Sequence, residues 1–205
     1  MPSNDNNKVV KYTAAMKYSA ETIRVLTGVQ YNTFFFSRKL MQLLISLVLF
    51  IVGLKFNNTS GIIMLAAACM LIVSLDYRPK MMAKQLCAQY NGAFPTLNYC
   101  FSDKGISTQN VSSKMPYSSF IRLIYDSKYM YIFVNQALVY MIDKDCVEGA
   151  DGLEGFKKFL SDKTKLEWKK PFSILALNLA TIKDLIEMNS RKKVFTADRL
   201  ENRKH

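Results

Sequence analysis

The sequence predicts an α+β membrane protein in which a transmembrane helical hairpin is joined to an antiparallel β domain capped by a C-terminal helix. Two apolar runs, 40–56 and 60–75, are separated by a short polar link. Later segments rich in Val, Ile, Tyr and Phe alternate with turn residues, which is typical of antiparallel strands. Half of the chain is hydrophobic and its mean hydropathy is +0.02 although 21% of its residues are charged, so the apolar residues are concentrated in part of the chain.

Residues 1–33 are assigned to an N-terminal strand and helix that belong to the cytosolic domain. The strand covers Val9 to Met16, which is rich in Val, Tyr and Thr. Ser19 is the expected N-cap of a helix that continues to about Thr33, because a serine hydroxyl accepts hydrogen bonds from the free amides of a first turn.

Residues 34–76 are predicted to form the transmembrane hairpin, with spans at about 40–56 and 60–75. At a rise of ~1.5 Å per residue each run covers roughly 25 Å, slightly less than the ~30 Å hydrocarbon layer, and the flanking residues supply the difference. The alternative is a helical hairpin buried inside a soluble domain. That alternative needs a larger surrounding core than a chain of 205 residues supplies.

Basic residues predict the orientation of the hairpin. Both of its ends carry them, whereas the link between the spans has only Lys55. Lys and Arg are concentrated on the cytosolic side of membrane proteins, so we expect a two-span protein of the cell membrane with both termini in the cytosol and the lipid bilayer as a partner. The flanking basic residues are Arg38, Lys39, Arg78, Lys80 and Lys84.

Residues 77–165 are predicted to form the rest of the cytosolic domain. A helix over 81–90 ends at Asn91 and Gly92, and a later helix over 152–162 presents Leu153, Phe156 and Leu160 on one face. Between the helices we predict strands at 97–101, 106–111, 120–125, 128–134 and 137–142, with the last two paired as a hairpin that is apolar on both faces.

Residues 166–205 are predicted to contain an amphipathic helix over 172–188 and a basic tail. The apolar stripe of this helix consists of Leu175, Leu179, Ile182 and Ile186. We expect the stripe to pack on the domain or on a second protomer. The alternative is a helix that lies on the membrane surface, with anionic headgroups facing basic residues that include Arg191, Lys192 and Lys193.

The residue types argue against enzyme chemistry. The one histidine is His205, the final residue, which is poorly placed for a catalytic triad or a zinc hydrolase site. No glycine-rich phosphate loop occurs, and the four cysteines lack the close spacing of zinc or redox motifs. We expect no catalytic residues, no cofactor and no metal.

An acidic cluster between the last predicted strand and the following helix is the remaining candidate for cation or enzyme chemistry. Its start resembles a calcium loop, but the D-x-D-x-D-G pattern is not completed. We expect a solvated loop that helps to cap the helix. The cluster consists of Asp143, Asp145, Glu148, Asp151 and Glu154.

The formal net charge of +12 raises the question of nucleic-acid binding. Tyr129, Tyr131 and Phe133 alternate along one strand beside Lys128, which imitates a base-stacking platform. Such a stripe is more often part of a core, and a membrane anchor would keep the domain away from most nucleic acid. We therefore expect no nucleic-acid partner.

The order of the elements resembles the YcxB-like family of bacterial membrane proteins over about Lys8 to Lys165. The resemblance is carried between Phe101 and Lys163 by FSDKGISTQNVSSKMPYSSFIRLIYDSKYMYIFVNQALVYMIDKDCV and GFKKFLSDK. Members share a phenylalanine before a DGI-like turn, an aromatic after proline, a Tyr- and Phe-rich hairpin, an I-x-K step and a short helix. Lys104 interrupts the usual Asp-Gly turn here, and Asp143 replaces the proline often found in the I-x-K step.

The resemblance implies a pleckstrin-homology-like (PH-like) cytosolic domain, a bent antiparallel sheet capped by a C-terminal helix, with the membrane hairpin inserted after the first strand. The family has no assigned enzymatic activity. We therefore expect a non-catalytic binding or regulatory module whose partner is a membrane protein or a second copy of the chain. The alternatives are a peripheral lipid or nucleotide enzyme that uses the acidic cluster, and a structural subunit of a larger membrane complex.

Overall fold

The computed structural model describes residues 10–56, 58–108, 111–172 and 186. This part of the chain is an α+β protein with five α-helices, one antiparallel sheet and one mixed sheet. It divides into two compact units. The sheet unit comprises Met1–Gln30 and Pro79–Pro171, and the helix unit comprises Tyr31–Arg78 and Phe172–His205.

The helices correspond closely to the predicted ones. They are α1 Ala20–Phe34, α2 Phe36–Lys55, α3 Thr59–Ser74, α4 Tyr77–Gln89 and α5 Gly152–Thr164. The hydroxyl of Ser19 accepts a hydrogen bond from the amide of Thr22 at 3.2 Å, which confirms Ser19 as the cap of α1. The α4 helix ends before Asn91 and Gly92, which both have positive φ angles of 47° and 82°.

The strands are short, and most of them meet their neighbours through hairpins. They are β1 Val10–Lys17, β2 Thr96–Ser102, β3 Gly105–Thr108, β4 Val111–Met115, β5 Arg122–Tyr125, β6 Tyr129–Phe133, β7 Val139–Asp143, β8 Val147–Gly149 and β9 Trp168–Lys169.

The first sheet has the order β4-β3-β2-β1-β8 and is antiparallel. Thr13 of β1 lies opposite Cys100 of β2, although helices α1 to α4 separate these strands along the chain. The helical pair α2–α3 is thus inserted along the chain between two strands that are neighbours in the sheet.

The second sheet has the order β7-β6-β5-β9, and β9 pairs with β5 in parallel. The predicted hairpin of β6 and β7 is confirmed, with Tyr131 opposite Met141. All five residues of β6 are buried, as expected for a strand that is covered on both faces. The aromatic stripe of Tyr129, Tyr131 and Phe133 is therefore part of the core and offers no stacking platform.

The α5 helix covers the first sheet with its predicted apolar face. Phe156 and Leu160 are fully buried. The ring of Phe156 lies 4.7 Å from that of Phe101 in β2 and 5.4 Å from that of Tyr12 in β1. These centroid distances are typical of aromatic pairs that hold a helix on a sheet.

Two predicted strands differ from the structure. The strand expected over 106–111 is divided, because Thr108 pairs with Val111 and the chain reverses between them. The strand expected from Phe120 begins at Arg122, because the residues after Pro116 form a 3-10 turn, Tyr117–Ser119. The Tyr117 hydroxyl donates a hydrogen bond to the Ser102 carbonyl at 2.8 Å and fixes this turn against β2.

The predicted C-terminal amphipathic helix lies outside the described residues, apart from Phe172 and Ile186. Ile186 is helical and exposed. The positions of Leu175, Leu179, Ile182, Arg191, Lys192 and Lys193 therefore remain predictions.

Candidate functional site

The helical hairpin of α2 and α3 is the first candidate site. The α2 helix, Phe36–Lys55, is long and apolar enough to cross a membrane. The α3 helix reaches that length only together with α4, to which it is joined by a 40° bend. By length and composition the described residues thus contain one helix that could cross a membrane, or two if the bent pair counts as one span.

The two helices have their large apolar side chains outside and their small or polar ones between them. The small or polar residues that are buried are Ser46 and Gly53 in α2 and Gly61 and Ala68 in α3. Phe36, at the start of α2, is also buried, and its ring lies 5.4 Å from that of Phe172. The side chains that are at least half exposed include Met41, Leu44, Ile45, Leu47, Val48, Leu54, Ile62, Ile63, Met70, Ile72 and Val73. This is the reverse of the arrangement in a water-soluble helical pair.

Polar bonds join the helices at successive turns. The Gln42 amide donates to the Ser74 hydroxyl at 2.6 Å and to the Leu71 carbonyl at 2.9 Å. One turn further on, the Ser46 hydroxyl donates to the Ala68 carbonyl at 2.9 Å. Gln42 and Ser46, the two uncharged polar residues of the first apolar run, therefore lie at the helix contact.

At the end of the hairpin where α2 leads into α3, the two helices approach each other at Gly53 and Gly61. A Cβ atom on Gly61 would lie 2.0 Å from the Phe56 carbonyl oxygen and 2.8 Å from the Gly53 carbonyl oxygen. The Asn58 side chain accepts a hydrogen bond from the Gly61 amide at 3.1 Å and caps α3. Only glycine permits this close approach of the two backbones.

The basic flanks have different surroundings. Lys39 forms an ion pair with Asp76 at 2.8 Å, and its side chain is only 13% exposed. Arg38 is exposed, with its guanidinium 5.5 Å from the centre of the Phe35 ring. Arg78, Lys80 and Lys84 are exposed as well.

Asp76 was not predicted as a functional residue, because only basic residues indicate the orientation of a membrane hairpin. It follows α3 directly, and its partner Lys39 lies in the first turn of α2. The bridge therefore ties the beginning of one helix to the end of the other. An acidic residue among basic flanks was the available signal.

The acidic cluster is the second candidate site, and the prediction of a loop was wrong in part. The segment contains a 3-10 turn, Lys144–Cys146, and strand β8, which pairs with β1. Asp151 occupies the N-cap position of α5 but makes no capping hydrogen bond with its side chain. It accepts one from the Tyr12 hydroxyl at 3.3 Å instead, and Glu154 is the acidic residue in the first turn of α5.

Three of the other carboxylates also have local partners. Asp143 accepts a hydrogen bond from the Asp145 amide at 3.2 Å, and Glu148 accepts one from the Thr13 hydroxyl at 3.0 Å. Glu154 forms an ion pair with Lys157 at 2.7 Å. In the part of the chain that the structure describes, no group of three His, Cys, Asp or Glu side chains could hold a metal ion.

Cys146 lies within this acidic segment. Partial burial raises the pKa of its thiol, and the negative charges of Asp143, Asp145 and Glu148 raise this pKa further. Because the thiolate is the reactive form, Cys146 has the wrong environment for a nucleophile at neutral pH.

Buried tyrosines occur in the sheet unit, where they serve the structure. Burial raises the pKa of Tyr99, and a hydrogen bond with Tyr18 adds to the effect. Burial likewise raises the pKa of Tyr131, whose hydroxyl donates to Asp126 at 2.6 Å. These hydroxyls stay protonated at neutral pH and act as hydrogen-bond partners in the core.

A surface ion-pair cluster ties together β1, the β2–β3 turn and α5. Asp103 is 2.8 Å from the Lys163 ammonium and 3.1 Å from that of Lys11. Hydrogen bonds from Lys163 and Lys11 hold the pKa of Asp103 below its usual value. Both ammonium groups also lie 5.8 Å from the centre of the Phe159 ring.

Comparison with known proteins adds one similarity. No curated protein and no solved structure matches the chain. A family model does match, over a shorter stretch than the expected Lys8 to Lys165, from the end of β2 into α5. The matching model is that of the YcxB-like protein family, it covers residues 101–160, and it confirms the resemblance that the sequence indicated.

Proposed function

We propose that the chain is an integral membrane protein in which α2 and α3 cross the bilayer as a hairpin and the sheet unit is a non-catalytic cytosolic module. One observation carries the proposal: the hairpin keeps its polar and small residues between the helices and presents its large apolar side chains outward. Lipid tails solvate such a surface, whereas contiguous apolar patches of this kind are rare on soluble monomers.

The degree of burial favours the bilayer over a soluble core. Helices in the core of a soluble protein are mostly buried, but only 11% of the apolar window of α2 is buried. The polar groups between the helices bond to each other or to carbonyl oxygens, as Ser46 does to Ala68. An unpaired polar group in hydrocarbon would cost several kcal/mol, roughly 4–8 on a water-to-cyclohexane scale.

The charges support an orientation with both termini in the cytosol. Lys39 and Asp76 join the two helix ends that carry the basic flanks, and the opposite end has Lys55 as its basic residue. The positive-inside bias then supports a cytosolic location for the flanked end.

The sheet unit is proposed to be a PH-like binding or regulatory module. Its two sheets with the covering helix α5 are compatible with that architecture, and residues 101–160 match the YcxB-like family. Four of the five carboxylates of the acidic cluster have local partners and the Cys146 thiol has a raised pKa, which favours a binding role over an enzyme. The partner is a membrane protein or a second copy of the chain.

Cysteine labelling of intact cells tests the topology. Cys69, Cys87, Cys100 and Cys146 are first replaced by alanine, and a single cysteine is then placed at Asn58 or at Lys163. A membrane-impermeant maleimide should label the Asn58→Cys variant in intact cells and the Lys163→Cys variant only after permeabilisation. The opposite labelling pattern, or release of the protein from membranes by alkaline carbonate, would overturn the proposal.

A further inference from the structure

A shallow groove of about 230 Å³ runs along the helix unit beside the contact of α2 and α3. Arg38, Met41, Gln42, Ile45 and Leu71 line it. Arg38 lies in the first turn of α2, and the Met41 and Ile45 side chains are 60% and 50% exposed. The groove thus has a cationic end and an apolar wall.

The spacing of these residues fits the layers of a bilayer. Met41 and Ile45 follow Arg38 by about one and two helical turns, so roughly 10 Å of helix separates Arg38 from Ile45. The headgroup layer on one side of a bilayer is about 5–7 Å thick. An anion at Arg38 and an alkyl chain at Ile45 therefore lie at the depths of a lipid phosphate and an upper acyl chain.

The charge at the end of the groove is available for a ligand. The nearby carboxylate of Asp76 is 2.8 Å from the Lys39 ammonium, and within the described ranges no carboxylate forms an ion pair with Arg38. Packing on the Phe35 ring, 5.5 Å away, leaves the guanidinium edge free to donate hydrogen bonds. A guanidinium binds phosphate oxygens in a bidentate manner.

The amide group at the floor of the groove already has its hydrogen-bond partners. The Gln42 amide donates its hydrogen bonds within the hairpin, to Leu71 and Ser74, so it makes no demand on a ligand. The remaining wall of Met41, Ile45 and Leu71 is apolar.

We propose that this groove binds one anionic phospholipid, with its phosphate at Arg38 and an acyl chain along Met41, Ile45 and Leu71. The inference rests on the proposed membrane insertion of the hairpin and adds a specific lipid to it. Bound there, the lipid covers the open side of the α2–α3 contact on the cytosolic leaflet.

Native mass spectrometry of the full chain in mild detergent tests this proposal. The protein is titrated with phosphatidylglycerol and, separately, with phosphatidylcholine that has the same acyl chains. One phosphatidylglycerol should be retained in preference, and Arg38→Gln should weaken its retention about fivefold, the effect of losing one cation near a phosphate. Ile45→Trp should fill the space beside the apolar wall and therefore weaken retention of the lipid as well.

Two matched variants serve as controls. Arg78→Gln removes an exposed arginine outside the groove, and Leu47→Trp enlarges an exposed apolar side chain of α2 that does not line it. Neither should change lipid retention.

Three outcomes would overturn the lipid site: equal retention of the two lipids, retention that is unchanged in Arg38→Gln, or a dimer in the spectra that Ile45→Trp dissociates, since a second copy would then cover the wall. Alkaline carbonate extraction separates this failure from that of the proposed function. A protein that stays in the membrane but does not prefer the anionic lipid contradicts the lipid site alone.

Discussion

The ring of Tyr12 in β1 lies directly across the strand pair from Gly149 in β8, where a side chain would have no room. A Cβ atom on Gly149 would lie 2.2 Å from a carbon of the Tyr12 ring. The same ring packs against Phe156 and Phe159 of α5, at centroid distances of 5.4 and 5.3 Å. One tyrosine thus fixes an edge strand and a helix to the first sheet.

We expect Gly149→Ala to destabilise the sheet unit by about 1–3 kcal/mol, because the aromatic ring must move to accommodate the new methyl group. Gly28→Ala in α1 is the matched control. No atom lies within 4 Å of a Cβ added there, so this change should be neutral or stabilising by up to about 1 kcal/mol. Thermal unfolding of the purified full chain measures the stability of both variants. An unchanged Tm in Gly149→Ala would contradict the close packing of the Tyr12 ring on Gly149.

The second prediction concerns the contact between α2 and α3. A Ser46→Cys and Ala68→Cys pair should form a disulfide on mild oxidation when the native cysteines have been replaced, because both residues are buried where the helices meet and the Ser46 hydroxyl bonds to the Ala68 carbonyl at 2.9 Å. Leu47 is exposed on α2, so a Leu47→Cys and Ala68→Cys pair should not crosslink.

Adding Gly61→Ala to the crosslinking pair should reduce the yield, since a Cβ on residue 61 would collide with backbone oxygens at the end of the hairpin. Gel mobility under non-reducing conditions reports each crosslink. Efficient crosslinking of the Leu47 pair would show that the helices meet on another face.

The elements with strong periodicity were predictable from the sequence. Helices α1 to α5 and the β6–β7 hairpin were confirmed because each depends on its own apolar pattern. Strands β8 and β9 were missed because they have only 3 and 2 residues, and contacts distant in the sequence determine them. For β9, the indole of Trp168 donates to the Lys157 carbonyl at 3.0 Å, a contact that no local pattern indicates.

The candidate site was predictable in part. The apolar runs predict the hairpin, and Gln42 and Ser46 are polar residues within the first of these runs. Their separation by one turn places them on one helical face, which was a signal for an interhelical contact. The glycine contact of Gly53 with Gly61 and the ion pair of Lys39 with Asp76 depend on both helices together, so only the structure reveals them.

The third prediction concerns the pH dependence of stability. The pKa of Asp103 is lowered in the folded state by hydrogen bonds from Lys163 and Lys11. A carboxyl with a lowered folded pKa stabilises the fold above its unfolded pKa of about 4, and this contribution is lost as the pH falls. Asp103→Asn should therefore cause a small fall in Tm at pH 7 that disappears at lower pH.

The exposed Asp162 of α5 provides the matched control for this experiment. Asp162→Asn should leave the Tm nearly unchanged at both pH values. If the Tm difference between Asp103→Asn and the wild type became larger on acidification, the Asp103 carboxylate would not stabilise the fold in the predicted way.

The fourth prediction is that the protein has no catalytic turnover. His205 is the chain's single histidine, and no phosphate-binding loop occurs in the sequence. Purified protein incubated with nucleotides or with phospholipids and divalent cations should give no product above the background. Turnover that is abolished by Asp143→Ala together with Asp145→Ala would establish the enzyme alternative instead.

The last prediction concerns the C-terminal segment, whose stripe of Leu175, Leu179, Ile182 and Ile186 we expect to be helical and packed on protein. An isolated amphipathic helix of this length is marginal in water, so its order must come from burial of the stripe. Each buried Leu or Ile contributes roughly 1.5–3 kcal/mol.

Leu179→Asp should therefore expose the segment to limited proteolysis in the full-length protein, held in lipid nanodiscs that contain anionic lipid. The charge reversals Lys192→Glu and Lys193→Glu, made together, should leave its protection unchanged. If headgroup electrostatics hold the segment, the charge reversals should expose it more than Leu179→Asp does. Each reversed charge then costs about 1 kcal/mol or more of attraction to the membrane. Release of the segment by the charge reversals, with protection kept in Leu179→Asp, would show that it lies on the membrane surface.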